Sequence, residues 1–370
     1  MPYGKINLIF IKKNNIMGNK TNIKNKKITQ KHNNKTKKNN EDFNNTNNVK
    51  ILIQDSFYQF WLDNTFCVFK SFNNILFLIY TNKRNSIISY NLIDYKIINE
   101  IKNAHQHSIS NFRHFFDKNN KRDLIMTISG VNNNIKIWNF NTFECLLNIR
   151  PINNKGWIDS ACFFYKDNNT YIITSNNNIT NPLDPIKIFD FKGNNIKELN
   201  DSLEFTYFID IYEDNIKNKS YLITGNKGYS KSYDYNDNKV YHKYVVKNDI
   251  PFHHVSILID NSEEITKMIE PSCFGINVWN FHSGDLIRTI KINDEWLHSI
   301  GTIEKNILYG ACRNRTIAII DVNKGEIINY YFEIHNKTII NIKKINHPKY
   351  GDCLISSDSS CIKLMIIKDK

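Results

Sequence analysis

One short pattern recurs seven times between Ser86 and Lys370: alternating apolar residues run into an aromatic or apolar residue and then, in six of the seven copies, Asn or Asp. The copies are IISYN ending at Asn91, IKIWN at Asn139, IKIFD at Asp190, SKSYD at Asp234, INVWN at Asn280, IAIID at Asp321 and IKLMI at Ile366. The intervals between their last residues are 48, 51, 44, 46, 41 and 45. A period of about 40 to 50 residues holding several short strands cannot belong to one ordinary sheet; each unit must be a supersecondary block that buries its faces against its neighbours.

The spacing predicts an all-β chain built as a seven-bladed β-propeller of four-stranded antiparallel blades. Residues 49–370 divided among seven units give about 46 per unit, close to the roughly 40 to 45 of a four-stranded blade. In the second unit, Ile109 to Phe116 reads as the inner strand, Leu124 to Ser129 as the next, Ile135 to Phe140 as the third and Glu144 to Ile149 as the outermost. The turn after Asn139 joins the last two as a hairpin, repeated as HSGD after Phe281 and NKGE after Val322. The seventh unit stops after its third strand, Ile362 to Ile367. The apolar segment Val49 to Ile53, within residues 49–54, is expected to supply the missing strand and cover an otherwise open edge. The first inner strand is expected near Leu62 to Cys67.

Composition separates the N-terminus from the rest. Residues 1–48 hold eleven Lys and no Arg against Glu41 and Asp42, which is +9 of the formal +13. Such a segment is too polar to bury a core and reads as a disordered tail. Its charge suits weak, salt-dependent contact with nucleic acid. Gly is scarce, at 13 residues, so Asn-rich turns are expected to take its place in left-handed conformations. An AT-rich genome would produce the same bias, and Asn runs alone carry no function. The seven cysteines are scattered and never form Cys-x-x-Cys, which predicts reduced, buried thiols, a cytoplasmic or nuclear setting, and no structural zinc. No run approaches the 18 apolar residues of a membrane helix, so membrane insertion is not expected.

With these units laid out, residues 49–370 resemble a WD40 repeat protein. Ala104-His105 resembles the Gly-His that opens such a repeat, and Ile137-Trp138-Asn139 its closing Trp-Asp. Val278-Trp279-Asn280 followed by FHSGDLIRTI is similar through the hairpin and outer strand, and His335 sits at the His position of the seventh unit. The resemblance implies a hydrogen-bonded His, Ser or Thr, Asp and Trp in each blade. Asn132 and Asn314 stand in the Asp positions of the second and sixth units, so the repeats are degenerate and no unit is expected to hold the complete set.

Catalytic machinery is not legible. There is no phosphate-binding G-x-x-x-x-G-K-[ST] and no G-x-S-x-G; Gly225-Asn226-Lys227-Gly228 reads as a turn. His253 and His254 are adjacent and would point to opposite faces of a strand. His105 and His107 have no acidic or Cys partner nearby, and Glu263-Glu264 and Asp201 with Glu204 read as solvated loop charges. No enzyme, cofactor or metal is expected. The resemblance implies instead a binding face, formed by the loops leading into the inner strands and those between second and third strands. It would gather Arg84, Trp157, Lys227, His254, Trp296, His298, Arg313 and Arg315, types enriched at interface hot spots. Packing between blades is the rival role for each Trp. The insertion SNNNITNPLDP, between Thr174 and Ile186, is expected to be a defined loop on the same face. The function expected is a protein-interaction scaffold or adaptor, subunit of a larger complex. The alternative is an RNA-associated or ribosome-assembly factor that uses the tail for nucleic acid.

Overall fold

The fold comes from a computed structural model that describes residues 49–367 except 55–65, 83–84, 130–133, 151–155, 176, 179–184, 200, 204, 227, 247–256, 262, 273–274, 293–296 and 333. The chain divides between Glu41 and Asp42, and the first unit lies outside the described residues, as does the tail expected over residues 1–48.

Seven four-stranded antiparallel sheets are present among the described residues, with no helix. Six take their strands in chain order: blade 1 from residues 66–101, blade 2 from 111–149, blade 3 from 161–199, blade 4 from 206–244, blade 5 from 258–291 and blade 6 from 297–331. Blade 7 is made of Asn341–His347, Gly351–Ser357 and Cys361–Ile366, with Val49–Gln54 as its fourth strand. This is a seven-bladed β-propeller. The inner strand of blade 1 is described over Phe66–Lys70, with Phe66 opposite Tyr80; of the strand expected near Leu62 to Cys67, residues 62–65 lie outside the described residues.

Burial follows from position in a blade. Second and third strands are sandwiched between neighbouring blades, so Leu76–Thr81 and Ile87–Asn91 are buried throughout. Outermost strands have one neighbour and largely face water, as in Lys96–Ile101. Seven apolar clusters fill seven blade interfaces. Phe69, Ile79, Ile125 and Trp138 join blades 1 and 2, while Leu78, Tyr90, Ile355 and Leu364 join blade 7 to blade 1. That last cluster closes the ring.

The recurring Asn or Asp has a local cause. Side-chain Oδ1 of Asn91, Asn139, Asp190, Asp234, Asn280 and Asp321 accepts hydrogen bonds from backbone N–H groups two to four residues on. Each thereby caps the hairpin between third and fourth strands. The same six pairings each carry a register shift just before that turn. The copy without the polar residue, ending at Ile366, is the one whose partner strand comes from elsewhere in the chain. It has no hairpin to cap. Asn also supplies the turns that lack Gly: among the described residues, seven of the twelve non-glycine residues at positive φ are Asn.

One glycine is dictated by packing. Gly275, at φ +146°, would place a Cβ 2.0 Å from the Ile290 carbonyl oxygen on the adjacent strand. Backbone cannot yield as a side chain tip can. Gly275→Ala is expected to destabilise the protein by about 3 kcal/mol, from strain and overpacking together, read as a lower urea midpoint at unchanged m-value.

Candidate interaction face

The loops that enter the inner strands and those between second and third strands are held by buried polar groups. In blade 2, His105 Nε2 lies 2.8 Å from Thr127 Oγ1, and Trp138 Nε1 donates to the same oxygen at 2.9 Å. Burial, with Lys136 adding to it, pushes His105 down to about 3, so the ring is neutral. Asn132 lies outside the described residues. In blade 7, His335 Nε2 meets Ser356 Oγ at 2.8 Å and Nδ1 faces Asp358 Oδ2 at 3.3 Å. Met365 occupies the position that Trp138 holds in blade 2. In blade 6, Asn314 accepts from Thr316 Oγ1 at 2.6 Å, capping its own turn.

Blade 5 differs. Glu270 stands opposite Asn277 as Thr127 stands opposite Lys136, so a carboxylate replaces the hydroxyl. It is fully buried; Trp279 Nε1 donates to Oε1 at 2.8 Å and Ser230 Oγ donates to Oε2. Its only signal in the sequence is one acid flanked by Met268, Ile269 and Pro271 in the buried strand Lys267–Ser272. A second recurring contact was also hidden. Lys136 Nζ donates to the Ala104 carbonyl at 2.6 Å and Lys363 Nζ to that of Ile334 at 2.7 Å, each tying a third strand to the residue before a buried His.

The depressed His105 pKa gives a pH dependence. The unfolded His binds a proton near pH 6.5 and the folded one only near 3, so stability is complete above 6.5 and is lost as pH falls below it. The slope from this group approaches about 1.4 kcal/mol per pH unit. Thermal melts between pH 7 and 5 are expected to fall steeply for the native chain and less so for His105→Gln.

The predicted face residues separate. Trp157 is half exposed, and Arg313 and Arg315 are exposed on the loop between the second and third strands of blade 6. Arg315 has φ +73°, a region few non-glycine side chains adopt, and its Nη1 reaches the Asn336 carbonyl at 3.5 Å in the loop entering blade 7. His298 is buried. Arg84, Lys227, His254 and Trp296 lie outside the described residues, as does His253. Of the insertion, Asn177–Asn178 pairs with Gly156–Trp157 as a two-stranded sheet, joining the insertion to the loop that precedes blade 3. His107 is exposed and His105 buried, so these two do not share a site.

Other charges correct the sequence reading. Glu263 is no solvated loop charge: it accepts from Lys267, Asn306 and Asn323, which pull its carboxyl down to about 2 and link blades 5 and 6. Glu204 lies outside the described residues. Arg113 on the inner strand of blade 2 donates to the Ile209 carbonyl at 3.3 Å and pairs with Asp210 at 3.5 Å, reaching past blade 3 to blade 4. Among the described residues six cysteines form no disulfide: Cys162, Cys312, Cys353 and Cys361 are buried, Cys67 is partly so and Cys145 is exposed, while Cys273 lies outside the described residues.

No family model matches the chain, and no curated protein matches it. Solved structures do match, 1440 chains of them, so the architecture is too widely shared to select a function. One is a crystal structure of the computationally designed Ika8 protein, crystal packing No. 1 in P63. It has a TM-score of 0.54 and 11% identity, covering 85% of this chain and 100% of that one. At that identity the likeness is one of fold alone.

Proposed function

We propose that this chain is a non-enzymatic interaction scaffold of WD40 type, a cytoplasmic subunit of a larger protein assembly. The observation that carries the reading is the loop of Arg313 and Arg315. Arg313 and Arg315 are exposed one and three residues beyond the second strand, Ile307–Cys312, whose last five residues are buried, and Arg315 sits on a backbone conformation that costs an arginine strain. Arg held on a rigid element is a frequent hot-spot type. The WD40 assignment is supported by the His105, Thr127 and Trp138 bonds of blade 2 and by His335, Ser356 and Asp358 of blade 7. Among the described residues no helix is long and apolar enough to cross a membrane.

The test is affinity purification of the tagged chain beside an Arg313→Glu, Arg315→Glu variant. Both side chains are exposed, so melting is expected to shift little while the set of co-purified proteins shrinks. An unchanged set would refute this loop as the binding element. The Lys-rich residues 1–48 favour the RNA-associated reading; loss of partners on ribonuclease treatment, or on deletion of that segment, would replace the scaffold reading with that one.

A further inference from the structure

We propose that the turns joining first to second strands in blades 7, 1, 2 and 3 form a binding surface for single-stranded RNA. Because the strands of each blade are antiparallel, these turns lie at the opposite end of the blades from the Arg313 and Arg315 loop. The surface therefore stands apart from the scaffold's proposed binding loop.

Rings and cations recur along it. Blade 7 brings Tyr350 with Lys349 Nζ 5.3 Å from its ring centre, blade 1 brings Phe72 near Lys70, blade 2 Phe116 near Lys118, and blade 3 Tyr165 beside Lys166. From the last residue of the first strand to the first residue of the second, these four blades hold six Lys or Arg against Asp117 and Asp167. Asp117 is already bound by Arg122 Nε at 2.9 Å. The same stretches of blades 4, 5 and 6 hold four Lys against five acids, and no aromatic residue. One half of this end of the propeller attracts phosphate and the other does not.

The rings are held in place. Phe72 stacks on Phe116 with centroids 5.4 Å apart and planes inclined by 5°, yet is 56% exposed. Its backbone N–H donates to Asp123 Oδ2 at 3.0 Å, and His114 Nε2 lies 2.8 Å from the other oxygen of that buried carboxylate. Tyr165 OH donates to Asn119 Oδ1 at 2.9 Å, and Asn119 Nδ2 to the Asn168 carbonyl at 2.7 Å, which ties the turns of blades 2 and 3 together. A ring fixed by its neighbours and still more than half open is a platform on which a base stacks at little ordering cost. An acidic peptide would pair with the lysines and leave the ring uncovered. Asn73 and Asn120 are exposed in the same turns, and a side-chain amide both donates and accepts, as the 2′-hydroxyl of RNA does.

The test is fluorescence anisotropy of the full chain with a labelled oligouridylate of about ten nucleotides, at several salt concentrations. Phe72→Ala and Phe72→Leu are each expected to weaken binding about tenfold, and Phe72→Trp to preserve it. Lys70→Ala, Lys118→Ala and Lys121→Ala together are expected to flatten the slope of log K against log salt by about 2. Phe332 is similarly exposed at the opposite end, so Phe332→Ala is expected to change nothing. The Lys-rich residues 1–48 are present in every variant, and attraction to them cannot produce a difference at Phe72. Should Phe72→Ala melt below the native chain, photo-cross-linking of a 5-iodouridine oligomer to the native chain decides, the attached peptide being expected to contain Phe72 or Phe116. Equal affinity of Phe72→Ala and the native chain, cross-links confined to residues 1–48, or equal binding of the matching deoxyoligomer would overturn the proposal. So would displacement of the oligomer by polyglutamate at equal charge, which would make the partner an acidic protein.

Discussion

Deleting residues 1–56 is expected to abolish cooperative unfolding and leave a chain that aggregates, whereas deleting residues 1–40 leaves the melt unchanged. The longer deletion removes Val49–Gln54, which pairs antiparallel with Cys361–Ile366 from Val49 opposite Met365 to Gln54 opposite Cys361. Ile53 is buried in the cluster that seals blade 7 against blade 1, packed with Leu364, Ile362 and Phe66. Losing a buried Ile of this kind costs about 2 to 5 kcal/mol by itself. The strand's main-chain hydrogen bonds go with it, and the third strand of blade 7 becomes an open edge able to pair with another chain. Against a total stability of about 5 to 15 kcal/mol, that loss is of the same order as the whole. Circular dichroism melts and size-exclusion chromatography of the two truncations read the difference. A monomeric, cooperatively melting 57–370 chain would show that ring closure does not depend on this strand.

The second large effect is at Trp279. Its ring is buried between blades 4 and 5, meeting Tyr244 edge-on at 5.6 Å among Phe208, Tyr221 and Phe281, and its N–H is bound by the buried Glu270 carboxylate. Trp279→Ala is expected to cost about 4 kcal/mol, because it opens a cavity and takes a donor from a fully buried carboxylate. Trp279→Phe fills most of the volume and loses only the hydrogen bond, so about 2 kcal/mol is expected. The control is Trp157→Ala: half exposed, it should change stability by less than about 0.5 kcal/mol. Urea midpoints of the three variants give the order. Equal values for Ala and Phe at Trp279 would make the Glu270 hydrogen bond, rather than packing, the dominant contribution.

The candidate face was only partly legible beforehand. Arg313 and Arg315 could be placed on a loop by counting strands, and they are exposed. His298 could be counted to the same region, but whether a residue at the mouth of an inner strand points out or in depends on its side in the pleat, and this one is buried. Glu263 read as a loop charge because its partners Asn306 and Asn323 are 43 and 60 residues away.

The sequence by itself determined the number of blades, the strands within each and the turns between them. Those depend on contacts a few residues long: alternation that buries one face, and an Asn or Asp whose oxygen binds backbone N–H groups two to four positions on. Even the missing polar residue at Ile366 belongs to this level, since a strand with no hairpin after it has nothing to cap. Only the tertiary structure decided what meets across the blades. It set the register of Val49–Gln54 on Cys361–Ile366, the reach of Arg113 to blade 4, and the carboxylate under Trp279. A repeat fixes the fold through short-range patterns that every unit shares. Its chemistry arises from side chains far apart in sequence and different in each unit, and their distances are set when the ring closes.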